Sequence, residues 1–250
     1  MPIELTSQYL SLDEFEILLN TKENLVLSQE LKERIQACRS YLDQKVAQSS
    51  QLIYGINTGF GSLCNTAIST EDLSTLQSNL VRSHACGMGE LVPLEIVRRM
   101  LLLKVLGLSH GKSGVQVQTV ERLIYFFNNN IFPVVYQQGS LGASGDLAPL
   151  AHLCLPLLGE GEVFYNDAIR PTSEVYAELN LEPIVLQSKE GLALLNGTQF
   201  MSSYASYAVA QSFKLWNQFN LIGAMSLEAY DGRINPFQAN VNEIRNQKGQ

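Results

Sequence analysis

Gly139-Ser140-Leu141-Gly142-Ala143-Ser144-Gly145-Asp146-Leu147-Ala148-Pro149-Leu150 holds glycines at a spacing of three, with a serine between the last two. Glycine on both sides lets the backbone fold tightly on itself. If the amide nitrogen of Gly145 attacks the carbonyl carbon of Ala143, a five-membered ring closes and water leaves. Loss of the Ser144 hydroxyl as a second water then leaves an exocyclic methylene, a strong electrophile made without an added cofactor. Asp146 is placed to cap a following helix, and Pro149 suits that helix's first turn.

Three further clusters could serve such a site. Tyr54-Gly55-Ile56-Asn57-Thr58-Gly59-Phe60-Gly61 sets a tyrosine among glycines, in a loop able to approach a ligand closely. Its phenol could act as a general base where local positive charge favours the phenolate. Val81-Arg82-Ser83-His84-Ala85-Cys86-Gly87 places His84 at a helix end, where it could cap, pack or meet a ligand. Lys189-Glu190-Gly191-Leu192-Ala193-Leu194-Leu195-Asn196-Gly197-Thr198-Gln199 places Asn196 and Gln199 at a helix start. Side-chain amides there can hold an amino group, a carboxylate or a prosthetic ring by hydrogen bonds, or simply cap the helix.

Two other motifs fail on spacing. Gly142-Ala143-Ser144-Gly145 lacks one residue of the nucleophile elbow, and His152 falls along the following helix. Gly107-Leu108-Ser109-His110-Gly111-Lys112-Ser113 is one residue short of a phosphate loop and follows a helical run instead of a strand. No nucleotide is therefore expected.

The Gly139–Leu150 stretch resembles the signature of the aromatic amino acid ammonia-lyases, whose Ala-Ser-Gly becomes 4-methylidene-imidazol-5-one (MIO). The tyrosine loop, the Ser83-His84 pair and the Asn196 run are similar to that family in the same order, with matching flanks from about residue 50 to residue 249. The resemblance implies MIO formed autocatalytically from Ala143, Ser144 and Gly145, with Asp146 and Gly142 supporting ring formation. It implies that Tyr54 takes the substrate β-proton or plays a related acid-base part, and that Asn196 contacts the MIO. The electrophile would capture either the substrate amine or its aromatic ring. Ser-His resembles the histidine-specific members, so His84 would contact the imidazole of L-histidine and the product would be trans-urocanate. A tyrosine or phenylalanine ammonia-lyase or aminomutase is the alternative. A non-catalytic remnant of the fold is another, although it need not retain Ala143-Ser144-Gly145, Tyr54 and Asn196.

The elements that position these clusters read mostly as helix. Ser28 can cap Gln29 to Val46, where Leu31, Ile35, Cys38, Leu42 and Val46 recur at helical spacing. Thr70 opens a helix toward Ser83, and Pro93 to Leu108 and Gln116 to Asn128 follow. A small β hairpin is predicted at Gly161 to Tyr165 and Ala168 to Pro171, turning at Asn166-Asp167. From about Gly191 to Tyr230 the pattern predicts one helix approaching 40 residues, rich in small residues and suited to a bundle or a subunit interface. The expected fold is mainly α and ammonia-lyase-like. An MIO-bearing N-terminal domain over residues 1–190, with a small β element, leads into a long-helix bundle that begins over 191–250.

Family members run to about twice this length, which makes the chain the N-terminal half of a lyase, expected to be a homotetramer when full length. The remainder would supply an arginine for the substrate carboxylate, and little turnover is expected of this half alone. Net charge −7 without a basic stripe makes nucleic acid and anionic membranes poor partners. Cys38, Cys64, Cys86 and Cys154 are scattered, which suits reduced thiols and argues against a disulfide framework or a metal site. The start Met1-Pro2-Ile3-Glu4-Leu5 lacks a basic region with an apolar run after it. Met100 to Leu108, interrupted by Lys104, is too short to cross a bilayer. A cytoplasmic location is expected.

Overall fold

Three serines cap helical starts near the N-terminal end of the chain. Ser11 opens α1 (Leu12–Asn20) with a capping box: its hydroxyl accepts from Glu14 N, and Glu14 in turn accepts from Ser11 N at 2.7 Å. Ser28 Oγ accepts from Leu31 N at the head of α2 (Gln29–Gln48), as the periodicity predicts. The next cap is Ser69, not Thr70: it accepts from Asp72 N, and a short 3-10 turn leads into α3 (Leu73–His84). The computed structural model describes residues 1–48, 52–141, 145–245 and 249.

The core gathers on α4 (Leu94–Ser109) and α5 (Val117–Asn128), which pack against each other. Ile96, Val97, Met100, Leu101, Leu102, Val105, Val120, Leu123 and Phe126 are all buried. Each contributes about 1.5–3 kcal/mol on leaving water. α4 is apolar around most of its circumference, the mark of a helix with little free face. Two buried charges interrupt it: Arg99, which pairs with Glu16, and Lys104, 1% exposed in the middle of the helix.

Three small sheets tie distant segments together. β1 (Ile3–Leu5) and β2 (Leu25–Leu27) pair in parallel across α1. β3 (Met88–Leu91) pairs antiparallel with β5 (Tyr136–Gln138), so the chain just after His84 lies beside the chain just before Gly139. β4 (Phe132–Pro133) joins the hairpin of β6 (Glu162–Tyr165) and β7 (Ala168–Pro171). The hairpin turns at Asn166 and Asp167, both with φ above +50°, which is the left-handed pair that a two-residue turn requires.

Downstream come α6 (Ala148–Cys154), α7 (Thr172–Leu179), α8 (Glu190–Leu195), α9 (Gln199–Ala229) and α10 (Ala239–Glu243). The single helix expected from Gly191 to Tyr230 is thus interrupted at residues 196–198. Asn196 leaves the helical region with ψ 114°, and α9 starts afresh at Gln199. The break falls on Asn196-Gly197, a local turn signal, and long-range partners meet it there.

The chain divides into two units, Met1–Ala205 and Ser206–Gln250. In the first, α8 packs on α3 and α6. In the second, Phe213, Leu215, Trp216, Phe219, Ile222 and Met225 are exposed. Among the described residues no helix is long and apolar enough to cross a membrane.

Candidate active site

Gly142, Ala143 and Ser144 lie outside the described residues; Gly145 and Asp146 are described. Gly145 has φ +105° and sits against the backbone of Gly197. A Cβ at 145 would lie 2.7 Å from both Gly197 N and Gly197 O, so no side chain fits. Asp146 N donates to Gly197 O at 2.8 Å, and the buried Asp146 carboxylate accepts from Phe200 N at 2.7 Å.

Asp146 therefore caps α9, not the helix that follows it in sequence. α6 instead begins after Leu147, whose φ is +52° and which makes no side-chain cap bond, while Pro149 occupies the first turn as predicted. The carboxylate is turned to the free N–H groups of α9, whose partial positive charge favours an anion there. Burial pushes the Asp146 acid upward, and the Phe200 and Met201 N–H groups oppose that shift.

The other clusters converge on α8. Gly55, beside Tyr54, lies so close to Leu192 that a side chain at 55 would collide with it. Leu192 N donates to Gln77 Oε1 at 3.3 Å, which ties α8 to α3, the helix that ends at His84. Asn196 directly follows α8 and is exposed. The structure thus brings Gly145–Asp146, Gly55, α3 and Asn196 around one short helix through backbone and neighbouring residues.

Tyr54 itself is 57% exposed, its ring edge-on to Phe60 with centroids 5.9 Å apart. His84 is half-buried, with Nδ1 2.9 Å from Leu80 O. A carbonyl only accepts, so Nδ1 carries the proton and Nε2 is left for another partner.

Four further polar residues stand here: the sequence marks Gln199 at the helix start, whereas His152, Lys104 and Glu190 are not assigned to the site from sequence. His152, on α6, accepts from Gly87 N through Nε2 at 3.0 Å and lies edge-on to Tyr136, so it clasps the β3 end of the His84 segment. Burial holds its imidazole below the ordinary value, in keeping with an accepting nitrogen. Lys104 Nζ donates to Ala193 O at 3.0 Å, and burial lowers its pKa to about 8. Glu190, fully buried, accepts from Gln116, Thr119 and Gln187. Gln199 Oε1 is buried next to Gly197 and has no hydrogen-bond partner among the described residues. Of the three not assigned from sequence, the lone lysine in the apolar run from Met100 to Leu108 was the one legible signal, since a charge there must have a reason.

Among the described residues, the surroundings of Gly145 fit the prosthetic ring. Closure needs glycine at 145, and the surroundings exclude anything larger; the unpartnered Gln199 Oε1 leaves an acceptor close by. Among the described residues no three His, Cys, Asp or Glu side chains are placed to hold a metal ion. The cysteines are free, with Cys154 buried and its thiol pushed up to about 11.

The profile of the aromatic amino acid lyases matches residues 10–250. Histidine ammonia-lyase of Deinococcus radiodurans is 47% identical over 240 residues, which cover 96% of this chain and 46% of that protein. Among solved structures, histidine ammonia-lyase from Trypanosoma cruzi is similar at TM-score 0.89 and 37% identity, covering 100% of this chain and 48% of that one. Tyrosine aminomutase from Streptomyces globisporus is similar at TM-score 0.88 and 32% identity, covering 96% and 45%. The chain spans about half the length of the curated relatives it matches.

Proposed function

The chain belongs to the aromatic amino acid lyase family, and from that premise we propose that it is the N-terminal half of an ammonia-lyase that converts L-histidine to trans-urocanate and ammonia. Ala143, Ser144 and Gly145 lose two waters to form MIO, which supplies an electrophile that turns the amino group into a leaving group. Tyr54 takes the β-proton. His84 contacts the substrate imidazole through its Nε2, the ring nitrogen not committed to Leu80 O. Asn196 contacts the MIO through its amide. Asp146 supports ring formation by anchoring the chain immediately after Gly145, and Gly142 by leaving the backbone free to bend. In this reading residues 1–190 form the MIO-bearing domain, and 191–250 begin the helical bundle of a cytoplasmic homotetramer. The exposed Phe213, Trp216, Phe219 and Ile222 support such a bundle.

The observation that carries the reading is the contact between Gly145 and Gly197. It leaves position 145 to glycine, the residue that the Ala-Ser-Gly cyclisation uses.

The test is the intact mass of the purified chain with peptide mapping, together with urocanate formation by the full-length protein. A deficit of two waters in the peptide with Ala143-Ser144-Gly145, urocanate from the full-length protein and little turnover by the 250-residue chain are expected. An unmodified mass in both forms and no urocanate would overturn it. The likeness to a tyrosine aminomutase favours the second reading, a tyrosine or phenylalanine lyase or aminomutase. His84→Leu separates the two: a fall of about tenfold or more in kcat/KM for L-histidine supports the first. Unchanged selectivity supports the second.

A further inference from the structure

α8 and α9 would run on as one helix but for the break at residues 196–198, which carries Asn196 and receives Gly145–Asp146. Two charges stand at the facing helix ends. Asp146 sits at the N-terminus of α9, on Phe200 N. Lys104, from α4, sits at the C-terminus of α8, on Ala193 O. In a continuous helix Ala193 O would accept from Gly197 N. Here that carbonyl is one of the last four of α8, which have no intrahelical partner, and the ammonium takes it. The signs match the helix dipoles at both ends, a cation at the carbonyl end and an anion at the N–H end.

Lys104 is otherwise hard to account for. It is 1% exposed within an apolar helix, where leucine or methionine would pack at no electrostatic cost. Its hydrogen bond reaches 89 residues along the chain to the turn before Asn196. Asp146 and Cys154 lie near enough to act on it electrostatically.

We propose that Lys104 is a positioning residue of the active site: by occupying Ala193 O it ends α8, so that Asn196 leaves the helix and Gly197 stays open to Gly145 and Asp146. The proposal rests on the assignment of Asn196 and Gly145 to the site. It predicts that loss of the ammonium lets α8 compete for the break, while the core stays intact.

Lys104→Met keeps the packing and removes the donor. Amide hydrogen exchange of the purified chain is followed at Asp146 and Phe200, whose N–H groups are bonded across the break, and at Leu123 and Phe126 in α5 as internal standards. In Lys104→Met, exchange at Asp146 and Phe200 should speed up about tenfold relative to the standards, and Lys104→Arg should reverse most of this. In the full-length protein kcat should fall about tenfold with KM nearly constant. Should the methionine variant prove insoluble, Lys104→Gln is judged by the same exchange ratio and kcat.

An unchanged exchange ratio and kcat would overturn the proposal, even where the parent shows the two-water deficit and so keeps its assigned function. A raised ratio in a parent that has neither the deficit nor urocanate activity would instead sink the functional reading and leave the role of Lys104 in the break standing.

Discussion

At the N-terminal end of α8, the Glu190 carboxylate accepts from Gln116 N, Gln116 Nε2, Thr119 Oγ1 and Gln187 N, all between 2.6 and 2.9 Å. At the C-terminal end, Lys104 is buried just as completely but has a single hydrogen bond among the described residues, to Ala193 O. Both charges suit the helix dipole. They differ in how far desolvation is offset. Glu190 exchanges its water shell for four donors, which makes that end of α8 an anchor. Lys104 exchanges its shell for one acceptor and responds with a pKa lowered to about 8. The tightly bonded end lies away from the break and the sparsely bonded end adjoins Asn196. A short helix is thus bonded densely at one terminus and sparsely at the terminus that adjoins Asn196.

Removing the anchor should have the largest effect. Glu190→Ala strands several buried donors at once and should cost about 4 kcal/mol in urea unfolding of the chain. A loss below about 1 kcal/mol would mean that the two ends are not different in kind. The next effect is in pH and belongs to Lys104. Its folded pKa lies below the unfolded value, so between about 8 and 10.5 the unfolded chain binds more protons and stability rises with pH. Relative to Lys104→Met, the parent should gain on the order of 3 kcal/mol of unfolding free energy across that window. Parallel pH curves for the two proteins would show that Lys104 is not desolvated as its burial implies. The smallest effect comes from thinning the anchor: Thr119→Val removes one donor from four and should cost about 1 kcal/mol. A loss as large as that of Glu190→Ala would instead place the weight of the network on a single bond.

What the sequence made legible was local. The caps at Ser11 and Ser28, the helical runs of α2, α4 and α5, and the hairpin about Asn166-Asp167 are each decided by neighbours a few residues away. The parallel pairing of β1 with β2 and the β3–β5 pairing escaped notice, because three- and four-residue strands carry almost no periodic signal. The break between α8 and α9 was missed for a related reason. The residues that meet it are Asp146 and Lys104, 54 and 89 positions from their partners, and nothing in the pattern from Gly191 to Tyr230 announces them. The candidate residues themselves were visible as unusual clusters of glycine with Ser144, Tyr54, His84 and Asn196. That Gly55 and α3 both meet α8 was not, because it depends on Gly55 meeting Leu192 and on Gln77 meeting the same residue from α3.

The bond from Asp146 N to Gly197 O has a consequence in time. During synthesis the chain emerges from its N-terminus, and until Gly197 and Phe200 have been added the residue next to Gly145 has neither of these partners. A chain made only as far as Leu181 contains α4 and α5 but neither partner of Asp146. If backbone cyclisation requires the anchored turn, translation itself sets its earliest moment, and the two-water mass loss becomes a timestamp on the nascent chain.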